Sequence, residues 1–130
     1  MTWQEAALVM AGIIGSSVAV VHGVLVQRLM VRPLQALLPT GSRKAASTKR
    51  LVPPLLQFST FNWFIGGLAL IAAVIWFDRD ARFAVCLLVG SSYGFGALAN
   101  FWGTRGRHPG WMLYAVALLL IVFGVSEFAG

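Results

Sequence analysis

Residues 6–28 read AALVMAGIIGSSVAVVHGVLVQR, a run with no acidic residue and no cation before Arg28. A helix that crosses a hydrocarbon core ~30 Å thick needs about 20 mostly apolar residues, and this stretch supplies them. Three runs of similar character follow, at residues 54–77, 83–103 and 111–128. Strands of a membrane barrel would be about 10 residues long and would alternate apolar with polar; these runs do neither. The spacing predicts an all-α fold, an integral membrane bundle of four transmembrane helices forming one domain over residues 1–130.

Composition agrees. Hydrophobic residues make up 58% of the chain and charged ones only 11%, whereas a soluble domain carries about 25% charged residues. The net charge of +6 does not indicate nucleic acid as a partner, because the cations fall in the connections between apolar runs, where topology and anionic lipid explain them. Cys86 is the single cysteine. It excludes an internal disulfide and a paired-cysteine zinc cluster, and its apolar surroundings make it a packing residue. The start Met1-Thr2-Trp3-Gln4-Glu5 lacks a basic leader, and the first run is too long for the apolar part of a signal peptide. The first helix is therefore expected to be retained.

Orientation follows from the cations. Arg28, Arg32, Arg43, Lys44, Lys49 and Arg50 lie between the first two runs, and Arg105 and Arg107 between the last two. Only Arg79 and Arg82 lie on the opposite side, beside Asp78 and Asp80. Basic connections stay cytoplasmic, so a multi-pass protein of the bacterial inner membrane with both termini outside is expected. Trp3 and Trp76 then mark the outer interface, Trp102 and Trp111 the inner one. Residues 29–52 read as a long basic cytoplasmic loop with one short interfacial helix near 34–38 and a polar turn at Thr40-Gly41-Ser42. Arg43, Lys44, Lys49 and Arg50 would contact anionic lipid head groups. Pro53 and Pro54 are expected to open the second span, where a missing amide costs nothing.

Helices in lipid associate chiefly through close packing of small residues. Gly12, Gly15 and Ala19 share one face of the first span with His22 and Val26; Gly66 lies in the second, and Gly90 and Gly94 form a GxxxG step in the third. These are expected to pack helices within the chain, with a dimerisation face or a ligand cleft as the alternative.

Ionisable groups inside a span point to function. His22 lies six residues before Arg28, ~9 Å from the cytoplasmic interface, and Asn62 is ~12 Å deep by the same rise per residue. With Asn100 they form a candidate ligand-binding cluster, Arg28 at its mouth. A quinone-like or lipid head group, a metal-centred pigment or a proton relay are the functional readings; a hydrogen bond between helices is the structural one. Glu127 falls at the outer end of the last run and is expected to be solvated. No HExxH motif and no paired carboxylates occur, so the expectation is a protein that is not an enzyme, with no catalytic or metal-ligating set and no cofactor named by its residues.

His22-Gly23-Val24-Leu25-Val26-Gln27-Arg28-Leu29, Arg32-Pro33-Leu34 and Arg107-His108-Pro109-Gly110-Trp111 resemble the corresponding segments of a family of uncharacterised small bacterial four-helix inner-membrane proteins. The resemblance implies architecture and no activity. Many such relatives carry a second histidine early in helix two, where this chain has Leu56-Gln57-Phe58-Ser59-Thr60, which counts against haem ligation. Two functions are left by these residues. One is a non-catalytic accessory subunit that packs against other membrane subunits of a larger, energy-transducing assembly. The other is a small-molecule binding or transport protein, working alone or self-associated, that uses the polar cluster around His22.

Overall fold

The computed structural model describes residues 1–39 and 41–126. Thr40 in the expected turn, and Glu127 and Phe128 at the end of the fourth run, lie outside the described residues. Among those described the fold is all-helical: α1 (Trp3–Val26), a π-helical turn (Gln27–Val31), α2 (Arg32–Leu37), α3 (Arg43–Trp76), α4 (Arg79–Thr104) and α5 (Gly110–Val125). The rod from Trp3 to Leu37, α3 and α4 are each long and apolar enough to cross a membrane, and α5 is a shorter apolar helix.

Local chemistry sets the helix ends. At the start of α1, Glu5 N–H donates to the Thr2 hydroxyl (3.1 Å) while Thr2 N–H donates to the Glu5 carboxylate (2.9 Å), a reciprocal capping box. Asp78 caps α4 by accepting from Ala81 N–H at 2.9 Å. Its far end turns through Arg105 (φ 51°) and Gly106 (φ 73°), with Gly106 N–H donating to the Phe101 carbonyl at 2.8 Å. Only the glycine adopts that left-handed conformation without a steric cost.

The expected long loop over residues 29–52 is a correction. The chain stays helical to Leu37 and resumes at Arg43, so a helical hairpin replaces the loop, and the short interfacial helix is α2, fused to α1. Three prolines would ordinarily break these rods. Ahead of Pro33 the helix widens into the π turn, where Arg32 N–H reaches back five residues to Gln27; the wider turn relieves the clash between the proline ring and the Leu29 carbonyl. Pro53 and Pro54 were expected at the start of the second span but lie inside α3. Pro53 leaves the Lys49 carbonyl without its intrahelical donor, and the Gln35 side-chain amide of α2 donates to that carbonyl at 3.3 Å. At ~1.5 Å per residue, the hairpin extends the rods by about 15 Å beyond the predicted spans.

The four long helices form a closed ring in which α1 packs on α3 and α5, and α4 packs on the same two. The small-residue stripe of α1 lies against α3 and α4. A methyl on Gly12 would lie 2.5 Å from the Gly67 carbonyl oxygen, and one on Gly67 would lie 2.5 Å from that of Gly12; the backbones touch. A methyl on Gly15 would overlap the Tyr93 ring, and Ala19 is fully buried. Gly66 faces Val89 across the α3–α4 seam, whereas Gly90 and Gly94 meet Leu118 of α5 at ordinary contact distance. Cys86 is buried in the core. At the far end from the hairpin, Arg82 pairs with Glu5 at 3.0 Å and donates to the Ala73 and Val74 carbonyls (3.3 and 3.2 Å), tying α1, α3 and α4 together.

Candidate functional site

Each long helix contributes one ring to the centre of the bundle. His22 of α1 meets Trp63 of α3 edge-on at 4.7 Å, Trp63 meets Tyr114 of α5 at 4.7 Å, and Tyr114 meets Tyr93 of α4 at 5.2 Å. Such pairs contribute about 0.5–1.5 kcal/mol each beyond the area they bury. The two tyrosines differ in what their hydroxyls find. Tyr93 donates to the Trp63 carbonyl at 3.2 Å. Tyr114 is just as buried, and its hydroxyl has no hydrogen-bond partner among the described residues. A buried polar group left unpaired costs about 1–3 kcal/mol, and this oxygen shares that state with the Thr60 hydroxyl of α3.

Tyr114 lines a cavity of about 280 Å³ between α1 and α5, together with Val21, His22, Asn100, His108 and Leu113. The walls are almost wholly apolar, with polar groups at few points. His22 is half-buried, and its Nε2 lies 3.5 Å from the Ser59 hydroxyl, the outer limit of a hydrogen bond. His108 arrives through the left-handed turn after α4, which Trp111 braces by donating from its indole to the Gly106 carbonyl at 3.3 Å. Its Nδ1 accepts from Gly110 N–H at 3.1 Å, which leaves the proton of the neutral ring on Nε2. Asn100 spends one amide hydrogen on the Gly96 carbonyl of its own helix at 2.8 Å and keeps the other. The cavity thus offers imidazoles and an amide, which supply both hydrogen-bond donors and acceptors.

The residues singled out in the sequence are divided. His22 and Asn100 share the cavity. Arg28 is exposed and does not line it. Asn62 faces away: it is exposed, donates to the Ser92 hydroxyl at 2.9 Å, and lines a separate cleft between α3 and α4. Ser59, Trp63 and Gly67 hold the inner face of α3 at steps of four, which turns position 62 about 100° off that face. His108 and Tyr114 were missed because one lies in a loop expected outside the interface and the other carries no charge. The basic residues Arg43, Lys44 and Arg50 are exposed on the hairpin, and Lys49 is half-buried beside α2. No group of three or more metal-ligating side chains occurs among the described residues. No protein-family model, no curated protein and no solved structure matches this chain.

Proposed function

We propose that this is a non-catalytic, multi-pass protein of a bacterial inner membrane that binds a small apolar molecule carrying a carbonyl-type acceptor, quinone-like in chemistry, between α1 and α5. The observation that carries the reading is an apolar cavity with His22, Asn100 and His108 at its few polar points, bounded by Tyr114, whose hydroxyl is buried without a partner behind that wall. An oxygen acceptor on the guest would be met by His108 Nε2 and the spare Asn100 hydrogen, and by the Tyr114 hydroxyl where the ring turns toward the guest. Ligand pockets run from ~300 Å³ upward, so about 280 Å³ suits a single ring-sized head. Four spans with both termini outside are supported by the distribution of cations, and the outward faces support a lipid solvent: Leu88, Phe95 and Leu119 are 74%, 72% and 69% exposed. In that orientation the cavity lies in the cytoplasmic leaflet, and the hairpin cations meet anionic head groups.

A second reading, an accessory subunit of an energy-transducing assembly, is supported by a different feature. An apolar groove of about 470 Å³ lined by Cys86, Gly90, Gly94 and Leu118 opens outward between α4 and α5, wide enough to seat side chains of a neighbour.

Purification of the tagged protein from its own membranes in mild detergent, with mass analysis of what accompanies it, separates the two. A small apolar molecule near one equivalent, retained in smaller amount by both His22→Ala and Tyr114→Phe, is the expected result. A stoichiometric foreign subunit with an empty cavity would replace the binding reading with the accessory one.

A further inference from the structure

The α3–α4 seam carries a polar feature amid an apolar surface. Asn62 is exposed, ~12 Å into the second span, and donates one amide hydrogen to Ser92. Its second amide hydrogen and its carbonyl oxygen make no hydrogen bond among the described residues. The surroundings are apolar: Phe58 and Ile65 flank Asn62 along α3, and Leu88 and Phe95 flank Ser92 along α4, all exposed. A cleft of about 310 Å³ lies along the seam, its floor lowered by the missing side chain of Gly66. Hydrocarbon offers nothing to an amide, and polar side chains within membranes turn toward protein or a water-filled cavity. This one turns outward.

We infer that the α3–α4 seam is a self-association surface at which two copies of this chain pair through Asn62. A side-chain amide is its own complement. Across a two-fold axis the Asn62 carbonyl oxygen of one copy accepts the free amide hydrogen of the other, and the reverse bond forms by symmetry. An isologous contact of this kind needs only one patch, and the patch has a small residue for close approach and a polar centre for register. Lipid would leave both Asn62 groups unpaired. The inference rests on the membrane-spanning reading above and is independent of what the α1–α5 cavity holds.

The test uses the full chain in native membranes, first washed at alkaline pH to establish that it is embedded. In a Cys86→Ala background, Asn62→Cys is expected to form a disulfide-linked dimer on mild oxidation, whereas Val20→Cys, exposed at the same depth on α1, is not. With Asn62 retained, dimerisation in liposomes followed by energy transfer should weaken about tenfold in Asn62→Leu, which is about 1.4 kcal/mol, and recover in part in Asn62→Gln. A monomer in liposomes, equal linking through Val20→Cys, an unchanged dimer in Asn62→Leu, or linking of Asn62→Cys to a foreign protein would each overturn the pairing. Release by the alkaline wash would overturn the membrane reading itself.

Discussion

Tyr114→Phe removes one oxygen and separates two effects by sign. The ring keeps its places 4.7 Å from Trp63 and 5.2 Å from Tyr93, so packing is preserved. In the empty protein the hydroxyl is buried without a partner, and deleting it should raise stability by about 1–3 kcal/mol, the desolvation cost of such a group. In the loaded protein the same hydroxyl donates to the guest, and its loss should weaken binding by about 0.5–1.5 kcal/mol. Tyr93→Phe is the matched control: it breaks the bond to the Trp63 carbonyl and should cost about 1 kcal/mol whether or not the cavity is filled. The assay is equilibrium unfolding in mixed micelles of rising SDS fraction, on protein stripped of apolar small molecules by prolonged detergent exchange. If stripped Tyr114→Phe is less stable than wild type by 1 kcal/mol or so, the hydroxyl has a partner in the free protein, and the argument for a guest loses its basis.

Glycine contacts give a graded pair: Gly15→Ala, where the methyl would overlap Tyr93, should lose about 1–3 kcal/mol, and Gly90→Ala, which meets Leu118 only at 3.6 Å, should be near neutral in the same unfolding assay. Gln35→Leu should leave the Lys49 carbonyl unpaired and loosen the hairpin, seen as faster amide exchange over residues 43–53; adding Pro53→Ala, which restores the helical donor, should return protection. Glu5 precedes the first apolar run, and the Thr2 backbone N–H and then the Arg82 guanidinium hold its carboxyl below the ordinary carboxylate value. A depressed folded value means that the clamp stabilises at neutral pH and is lost as pH falls through that value, so acid should narrow the stability gap between wild type and Glu5→Gln, and a constant gap from neutral to strongly acidic pH would contradict it. Neutralising Arg43, Lys44, Lys49 and Arg50 together should release the orientation bias, read as cytoplasmic signal from a reporter fused after Gly130; a reporter that stays outside would remove these cations from the topological argument.

The runs that became α1, α3, α4 and α5 were legible because apolar length alone marks them, and the Gly12, Gly15 and Ala19 stripe because its period matches a helix. The hairpin was not. Reading prolines as helix starts assumes that an unpaired carbonyl finds no help, and the help for Lys49 comes from Gln35, fourteen residues upstream. That is tertiary information. The placement of Asn62 failed for a narrower reason: depth can be counted from a span boundary, but rotation about the helix axis depends on whether Trp63 or its neighbour faces the core, and in an all-apolar run nothing distinguishes them. Gly67 escaped for the same reason, since it follows Trp63 onto the inner face only once that face is known. His108 had none, because its approach to the cavity depends on a left-handed turn at Arg105, where a residue with a side chain rarely sits.

The unbroken rods have a mechanical consequence. A loop absorbs a push in its own slack, whereas a helix passes it on. The two arms, continuous with α1 and α3, end at Leu37 and start at Arg43, so a sideways force on their ends becomes a torque on the helices that carry His22 and Trp63. The π turn at Gln27–Val31, with its stretched ladder, is the compliant joint in one arm; α3 has Pro53 and Pro54 at nearly the same height, with Gln35 as the strut between them. The protein therefore has a lever whose fulcrum lies just outside the ring of four aromatic side chains.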